Sequence, residues 1–282
     1  MKKILVTGAT GFIGQYVVDR LLREGCQVIV SSAHAKKAEQ AAWADKVTYI
    51  PFDLANLDPA TDYYRFFGGP DSLVHLAWEG LSDYRSDFHT GVNLPRHIAF
   101  LKNLVDHGLT DLNVAGTCLE YGLQEGCLEE DRPALPVIAY PRAKNALRIF
   151  LEDLQRKQGF TLKWIRLFYM YGKGQNPKSL LSQLDKALAA HEPVFNMSGG
   201  EQIRDYLPVE RLAEILCRIS LQQETEGIIN CCSGIPVTVM ELVQRHLKDT
   251  GGQIRLNAGY YPYPDYEPMY FWGDTTKLKT II

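Results

Sequence analysis

The 282-residue sequence has no excess of basic side chains: thirty lysines and arginines stand against thirty-three aspartates and glutamates, for a net charge of −3. A general nucleic-acid-binding protein carries such an excess. No apolar run approaches the roughly 18 residues that a membrane span needs, and Met1 leads directly into a strand pattern rather than into the apolar core of a signal peptide. The sequence therefore predicts a cytoplasmic protein with neither nucleic acid nor a membrane as its partner.

Cysteine is also sparse. The six cysteines include no CxxC pair and no histidine-rich neighbourhood, so neither a zinc site nor a disulfide scaffold is indicated. We expect reduced packing cysteines and no bound metal. With 46% hydrophobic and 22% charged residues the composition is that of a globular protein, and the length allows one large domain or two ordinary domains of about 150 residues.

Apolar segments with strand character alternate with helical periodicity through the first half of the chain. Such alternation favours a parallel sheet covered on both faces by helices. Strands are predicted at residues 4–6, 27–30, 47–50, 72–77, 111–115 and 162–167, and helices at 13–23 and 98–105. After Tyr171 the pattern changes to a loop, a helix over 179–190 and a tail rich in aromatics and proline, which predicts a smaller C-terminal lobe beside the sheet.

A glycine-rich segment, Thr7-Gly8-Ala9-Thr10-Gly11-Phe12-Ile13-Gly14, follows the first predicted strand and opens the first helix. Glycines in this context allow a tight turn and a close approach of the backbone to a pyrophosphate, and the helix N-terminus offers free N–H groups and a partial positive charge. The segment therefore predicts a dinucleotide site. Its cofactor-binding residues are expected to be Gly8, Thr10, Gly11, Phe12, Ile13 and Gly14.

The end of the second predicted strand bears on the choice of coenzyme. An NAD-preferring site has an acidic residue here for the adenosine ribose hydroxyls, but the segment after Val30 has no acid and places Ser32 and His34 just ahead of Lys36 and Lys37. We expect Ser32 and His34 to contact the coenzyme, and the cationic side chains favour NADP over NAD. A solvated helix start is the alternative interpretation of the same residues.

The spacing of Gly8, Gly11 and Gly14, with Thr7 before them, resembles the TGxxGxxG fingerprint of the extended short-chain dehydrogenase/reductase superfamily, in particular its NAD-dependent epimerase/dehydratase family of nucleotide-sugar enzymes. The resemblance implies an α/β fold, a Rossmann-type doubly wound parallel sheet with a smaller, mixed α/β C-terminal substrate lobe. The implied units are an NAD(P)-binding domain at 1–168, with a returning segment near 205–231, and a discontinuous substrate-binding lobe at 169–282.

Two short segments that match the family follow the third and fourth predicted strands. Asp53-Leu54 resembles the pair whose carboxylate accepts from the adenine amino group, although an exposed turn aspartate has the same pattern. Leu76-Ala77 resembles the segment that lies along the cofactor, and a core histidine is the alternative interpretation of His75 before it. The resemblance thus adds Asp53, Leu54, Leu76 and Ala77 to the expected cofactor contacts.

Tyr140 and Lys144 form the main catalytic pair. Pro141 suits the first turn of a helix, and a spacing of four residues then puts both side chains on one face. A phenol with a pKa of about 10 is a poor acid at neutral pH, but a nearby ammonium and a cationic nicotinamide are expected to lower the pKa of Tyr140, so that the phenol can exchange a proton with a carbinol oxygen. Both residues are also expected cofactor contacts, with Lys144 on the nicotinamide ribose.

The resemblance supplies the remaining site residues. Gly116-Thr117-Cys118-Leu119-Glu120-Tyr121-Gly122 resembles the strand-end segment in which a hydroxyl, here that of Thr117, orients the reacting oxygen. Leu119 stands where sugar dehydratases have an acid, which disfavours dehydration, and Glu120 is expected to point away from the site. Arg204 is implied to bind the substrate diphosphate. The expected substrate-binding residues are Thr117, Cys118, Tyr140, Tyr169 and Arg204.

These segments predict an NAD(P)-dependent reductase or dehydrogenase of a nucleotide-linked sugar, which reduces the 4-keto group of a dTDP-, GDP- or CDP-4-keto-6-deoxyhexose with Tyr140 as proton donor. A nucleotide-sugar 4-epimerase with NAD uses the same constellation and is the alternative. A non-catalytic dinucleotide-sensing regulator is a third hypothesis, disfavoured because Tyr140 and Lys144 are both present. The resemblance also implies a homodimer, paired through the helix bearing these two residues and its neighbour around 93–105.

Overall fold

The computed structural model describes all 282 residues, which form a large sheet flanked by helices and a smaller lobe beside it. The helices are α1 Phe12–Arg23, α2 Ala35–Glu39, α3 Tyr63–Phe66, α4 Leu94–Asp106, α5 Ala139–Gln158, α6 Leu180–Ala189, α7 Val209–Leu221 and α8 Val239–Thr250. The strands are β1 Lys3–Thr7, β2 Gln27–Ser32, β3 Thr48–Pro51, β4 Ser72–His75, β5 Asp111–Thr117, β6 Gly126–Leu128, β7 Thr161–Leu167, β8 Tyr169–Tyr171, β9 Val194–Asn196, β10 Ile203–Pro208, β11 Gly227–Cys231, β12 Pro236–Thr238, β13 Arg255–Asn257 and β14 Phe271–Gly273.

The large sheet contains seven parallel strands in the order β11-β7-β5-β4-β1-β2-β3. The order reverses between β1 and β4, because the chain adds β2 and β3 on one side of β1 and then returns to place β4 on the other. In an open parallel sheet, a crevice forms at such a switch point, outside the carboxyl ends of the strands. The predicted Rossmann-type doubly wound sheet is confirmed.

Both faces of this sheet are covered, which explains the apolar runs of its strands. Ile4, Leu5 and Val6 of β1 have no exposed surface. Helices α1 and α7 share the core on one face of the sheet, and α4 and α5 share the core on the other. The carboxyl edge between these layers is left for the site.

The smaller lobe is built mainly from the chain after β7. Strands β8, β10 and β12 form a three-stranded mixed sheet, and β9 pairs with β13; α6 and α8 pack around a separate core. The predicted mixed lobe is confirmed. Strand β11 lies in the large sheet beside β7, which supports our proposal that the chain divides at 168/169, with a segment near 205–231 returning to the first domain.

Two features of the chain between β4 and α4 matter for the site. Strand β4 ends at His75, two residues before the predicted end, so Leu76 and Ala77 leave the sheet as loop. Residues His89–Asn93 then form a π-helical turn that leads into α4.

None of the helices combines the length and the apolar character needed to cross a membrane.

Candidate active site

A cleft of about 440 Å³ opens at the carboxyl ends of β1, β2 and β4, the edge of the sheet that contains the switch point. Its wall includes every expected cofactor contact except Tyr140 and Lys144. These wall residues are Gly8, Thr10, Gly11, Phe12, Ile13, Gly14, Ser32, His34, Asp53, Leu54, Leu76 and Ala77. The fold thus brings four separate segments of the chain to one cleft.

The glycine-rich turn leaves no room for a side chain at two of its glycines. A Cβ on Gly8, which has φ +70°, would lie 2.7 Å from the backbone nitrogen of Ala77. A Cβ on Gly14 would lie 2.3 Å from the carbonyl oxygen of Gly8. Gly11 is the N-cap of α1 and no side chain caps this helix, so its first N–H groups remain available. The turn therefore fits a dinucleotide pyrophosphate, which binds such groups.

The end of β2 presents hydroxyl groups to the cleft and no carboxylate. Thr10 Oγ1 and Ser32 Oγ lie 2.6 Å apart, and the backbone N–H of His34 donates to Ser32 Oγ at 3.0 Å. Lys36 and Lys37 are exposed on α2 and are not part of the wall. An adenosine ribose in this cleft would therefore meet hydroxyls and His34 rather than the two lysines.

Side-chain contacts bear on two alternatives left open by the sequence. Asp53 lines the cleft and also caps a short turn, since its Oδ1 accepts from the N–H of Ala55 at 2.8 Å. His75 is fully buried, with Nδ1 2.7 Å from Thr7 Oγ1 and Nε2 2.7 Å from Nδ1 of His97. Burial lowers the pKa of His75 to about 3, so it is a neutral core histidine.

Thr117, Tyr140 and Lys144 meet at the carboxyl end of β5. Thr117 is the last residue of that strand, and the other two lie in the first turns of α5. The Thr117 hydroxyl lies close enough to the Tyr140 phenol to act on its pKa, which it lowers, and Lys144 Nζ donates to the Ala115 carbonyl at 2.9 Å. They lie behind the cleft wall: Tyr84, a wall residue, stacks on the Tyr140 ring with centroids 5.0 Å apart.

Burial controls the protonation of Tyr140 and Lys144. It raises the pKa of Tyr140 well above its ordinary value, and Tyr84, Glu120 and Cys118 add to this effect. Within the chain desolvation is the largest effect on the Tyr140 pKa, and the lowering expected from the ammonium together with a cationic nicotinamide stays a prediction. Burial also lowers the pKa of Lys144 to about 7. At neutral pH Tyr140 is a protonated phenol, the state that a proton donor needs.

Glu120 lies beneath the site, fully buried. Its carboxylate accepts from the Thr117 backbone N–H at 2.8 Å, from Trp164 Nε1 at 3.0 Å and from Arg166 Nε at 3.0 Å. The side chain does point away from the cleft, but strand alternation is not the reason: β5 ends at Thr117, and Cys118–Tyr121 forms a 3₁₀ turn. The carboxylate fixes the backbone of the residue that would orient the reacting oxygen.

None of the five expected substrate residues lines the cleft wall, and Cys118, Tyr169 and Arg204 are engaged elsewhere. Cys118 belongs to a small apolar core with Tyr169 packed against it, and burial raises the pKa of both side chains. The Arg204 side chain is only 2% exposed and pairs with the Glu267 carboxylate at 2.9 Å. It also donates to the Met269 carbonyl at 3.2 Å. The guanidinium expected to bind the diphosphate thus has a carboxylate partner within the chain.

Several wall residues lie outside the predicted set. They include Trp78, Glu79, Leu81 and Tyr84 from the loop after β4, Asn93, Arg96, His97 and Phe100 from the start of α4, and Met170, Gln175 and Asn176 from the smaller lobe. Arg96 is the only lysine or arginine in the wall, and it lies 3.7 Å from the Glu79 carboxylate. The loop after β4 could have been predicted to line the cleft, because it continues directly from the expected cofactor contact at Ala77.

A doubly wound parallel sheet with a glycine turn at its switch point defines a dinucleotide-binding protein of the Rossmann class. The sequence model of the NAD dependent epimerase/dehydratase family matches residues 4–232. The chain belongs to this family, and the resemblance seen in its motifs is confirmed.

Curated relatives of the chain are nucleotide-sugar dehydrogenases and epimerases. The dTDP-6-deoxy-L-talose 4-dehydrogenase (NAD(+)) of Aggregatibacter actinomycetemcomitans is 27% identical over 271 residues, which cover 96% of this chain and 98% of the relative. The GDP-6-deoxy-D-talose 4-dehydrogenase of the same organism is 26% identical over 290 residues, which cover 99% of this chain and 91% of the relative. The family relationship therefore extends over nearly the full length.

Solved structures share the fold. The UDP-N-acetylglucosamine 4-epimerase of Methanobrevibacter ruminantium M1, in complex with UDP-N-acetylmuramic acid, superposes with a TM-score of 0.87 at 20% identity and covers 99% of this chain and 91% of its own. The UDP-glucuronic acid 4-epimerase of Bacillus cereus, in complex with UDP-glucuronic acid and NAD, gives a TM-score of 0.83 at 20% identity, with 99% and 92% covered. These likenesses confirm the architecture.

Proposed function

We propose that the protein is an NAD(P)-dependent reductase or dehydrogenase of a nucleotide-linked sugar, acting at the 4-position of a 4-keto-6-deoxyhexose carried on dTDP, GDP or CDP. The observation that carries the proposal is the meeting of Thr117, Tyr140 and Lys144 beside a cleft that fits a dinucleotide. The two talose 4-dehydrogenases support the choice of carbon and of deoxysugar, because the chain matches nearly all of their length.

The nicotinamide coenzyme, when bound, supplies or accepts the hydride. The chain's own residues then handle the proton. Burial keeps Tyr140 protonated, so its phenol can donate to the carbonyl oxygen as the carbon becomes a carbinol. Thr117 would orient that oxygen. The Lys144 ammonium, one turn further along α5, would hold the nicotinamide ribose and stabilise the phenolate left after proton transfer.

The surroundings of Thr117 support dehydrogenation over dehydration. Elimination of water needs an acid-base group beside the hydroxyl. Leu119 has no such group, and the Cys118 thiol is buried, which raises its pKa. The Glu120 carboxylate is committed to Trp164 and Arg166.

We propose NADP as the preferred coenzyme. The support is the hydroxyl pair of Thr10 and Ser32 with His34 at the end of β2, where no carboxylate would repel a 2′-phosphate. The dTDP-6-deoxy-L-talose relative is a dehydrogenase that uses NAD(+), so a direct comparison of the two coenzymes is the test. A lower KM for NADPH than for NADH supports the assignment, and the reverse order contradicts it.

A 4-epimerase is the second candidate, because solved structures with this fold include 4-epimerases and one of these is in complex with NAD. An epimerase returns the hydride to the sugar and causes no net oxidation of the coenzyme. The two functions therefore differ in stoichiometry, which a single assay can measure.

We further propose a homodimer formed through α4 and α5. These helices pack against each other on one face of the sheet, and Ile149 on α5 stays 47% exposed, although a large apolar side chain gains from burial. Ile149→Lys should shift the protein toward monomer in sedimentation velocity. An unchanged sedimentation coefficient would place the interface elsewhere.

The assay that tests the function follows the absorbance of reduced nicotinamide during incubation with a panel of enzymatically made nucleotide 4-keto-6-deoxysugars. Stoichiometric loss of absorbance with formation of the 4-hydroxy sugar is the expected result. A product of altered configuration without net coenzyme oxidation supports the epimerase. Coenzyme binding without turnover of any sugar contradicts both.

A further inference from the structure

Trp78, three residues after the end of β4, touches both members of the catalytic pair. The Lys144 ammonium nitrogen lies 4.0 Å from the centroid of the indole ring. The Tyr140 ring meets the same indole edge-on, with centroids 6.1 Å apart. Trp78 also forms part of the cleft wall, so it contacts both the catalytic pair and the space assigned to the dinucleotide.

The indole is itself held in place on two sides. It stacks on the imidazole of His97, with centroids 4.4 Å apart and planes 18° from parallel. Its Nε1 donates to Nδ1 of His89 at 3.1 Å. His97 in turn is hydrogen-bonded to His75 at 2.7 Å. A side chain fixed by stacking on one partner and by a hydrogen bond to another presents its face in one orientation.

Lys144 needs such support, because the environment opposes its charge. Burial lowers its pKa to about 7, and Glu120 acts in the opposite direction. Its one hydrogen-bond acceptor is the Ala115 carbonyl. The ionisable groups that face it are Glu120 after β5, Tyr140 on α5, His75 on β4, His89 in the π-helical turn and His97 on α4. The three histidines have lowered pKa values and are neutral near pH 7, so they contribute no attraction.

We propose that Trp78 is a positioning residue: its indole face holds the Lys144 ammonium against the Ala115 carbonyl, charged and one helical turn from Tyr140. The physical basis is the attraction between a cation and the negative face of an aromatic ring, which is strongest for tryptophan and grows when water is excluded. The inference rests on the proposed function of Lys144. The role of Trp78 follows from its contacts and was not among the sequence predictions.

The direct test is a pH titration of Lys144 by NMR in protein labelled with ¹³C at the lysine ε-carbon, with the resonance assigned by its loss in Lys144→Met. Trp78→Leu keeps an apolar side chain but removes the aromatic face, so the Lys144 pKa should fall by about one unit, a tenfold change in the protonation equilibrium. Trp78→Phe should fall between the two. Trp272→Leu, on β14, is the matched control and should leave the titration unchanged.

Fluorinated tryptophans at position 78 test the same point with little change of shape, because fluorine withdraws electron density from the ring face. The Lys144 pKa should fall stepwise with the number of fluorines. This arm keeps the proposal testable if Trp78→Leu does not fold. A titration that is the same for tryptophan, its fluorinated forms and phenylalanine overturns the inference.

Turnover gives a second readout. Activity requires the charged Lys144 ammonium, so activity is lost as pH rises through the Lys144 pKa. Trp78→Leu, with its lower Lys144 pKa, should lose activity at lower pH than the wild type. The ratio of wild-type to Trp78→Leu activity should approach one below about pH 5 and rise to about tenfold above about pH 8. A loss that is uniform with pH means a merely structural role. If the wild-type protein turns over no nucleotide sugar, the proposed function fails while the titration still decides the role of Trp78.

Discussion

Replacement of Glu120 by glutamine tests how strongly the buried carboxylate supports the site. Glutamine keeps the shape and one carbonyl oxygen, which can still accept from the Thr117 N–H, now 2.8 Å from Glu120 Oε1. Its amide NH₂ group, however, would face Trp164 Nε1 and Arg166 Nε, each 3.0 Å from Oε2. Trp164 Nε1 also lies 3.0 Å from Oε1 and can still donate to the retained carbonyl oxygen. Arg166 Nε loses its acceptor, and it belongs to a guanidinium in a side chain that is 1% exposed. Unpairing a buried charge of this kind costs about 3–5 kcal/mol, and we expect that loss in the free energy of unfolding.

The assay is urea unfolding at neutral pH. The control is Glu214→Gln, which removes the charge from partly exposed pairs with Arg211 and Arg218 and should cost less than about 1 kcal/mol. The double variant Glu120→Gln/Arg166→Met should recover much of the loss, because it removes the unpaired charge as well. A loss below about 1 kcal/mol in Glu120→Gln would refute the reasoning that this network anchors Thr117.

Three further predictions follow from particular contacts. Gly14→Ala places a Cβ 2.3 Å from the Gly8 carbonyl oxygen. We expect the free energy of unfolding to fall by about 1–3 kcal/mol and calorimetry to show weaker coenzyme binding. Undiminished coenzyme affinity would contradict the assignment of this turn to the pyrophosphate. His75 is neutral in the folded protein down to about pH 3 but has an ordinary pKa of 6.5 when exposed, so between these values the unfolded chain takes up a proton that the folded chain does not. The free energy of unfolding should therefore fall as pH drops from 6.5 toward 3, by up to about 1.4 kcal/mol per pH unit. A flat pH profile in urea unfolding would count against burial of this imidazole. Glu267→Gln removes the charge of the carboxylate that pairs with Arg204 at 2.9 Å. If Arg204 binds the substrate diphosphate, calorimetry should show tighter binding of a nucleoside diphosphate to this variant. Unchanged affinity would mean that the Arg204–Glu267 pair has only a structural role.

The sheet and the cofactor cleft could be predicted from sequence because their signals are local. Alternating apolar segments fix the strands, and the spacing of the three glycines marks the turn, although the contacts that exclude a side chain at Gly8 come from Leu76 and Ala77 after β4. The twelve predicted wall residues outside α5 all line the cleft. The closeness of Tyr140 and Lys144 could be predicted for a similar reason, since a spacing of four residues on a helix puts them on one face.

The features that were not predicted depend on contacts between distant parts of the chain. The Arg204 partner Glu267 follows 63 residues later, and no local pattern links them. The direction of the Tyr140 pKa shift depends on burial beneath Tyr84, a residue brought there by the loop after β4. Glu120 shows a third cause: its orientation was predicted from strand alternation, but the strand ends before it and a 3₁₀ turn determines where it points.

The central claim is that Tyr140 is the proton donor for a carbonyl on a nucleotide-linked sugar. The most direct measurement is the single-turnover rate of Tyr140→Phe with coenzyme and 4-keto sugar, beside coenzyme affinity for the same variant and the control Tyr64→Phe. We predict that affinity is retained and that the rate falls by about 10²–10⁴-fold, while the control is unchanged. A Tyr140→Phe rate equal to that of the wild type would contradict the account.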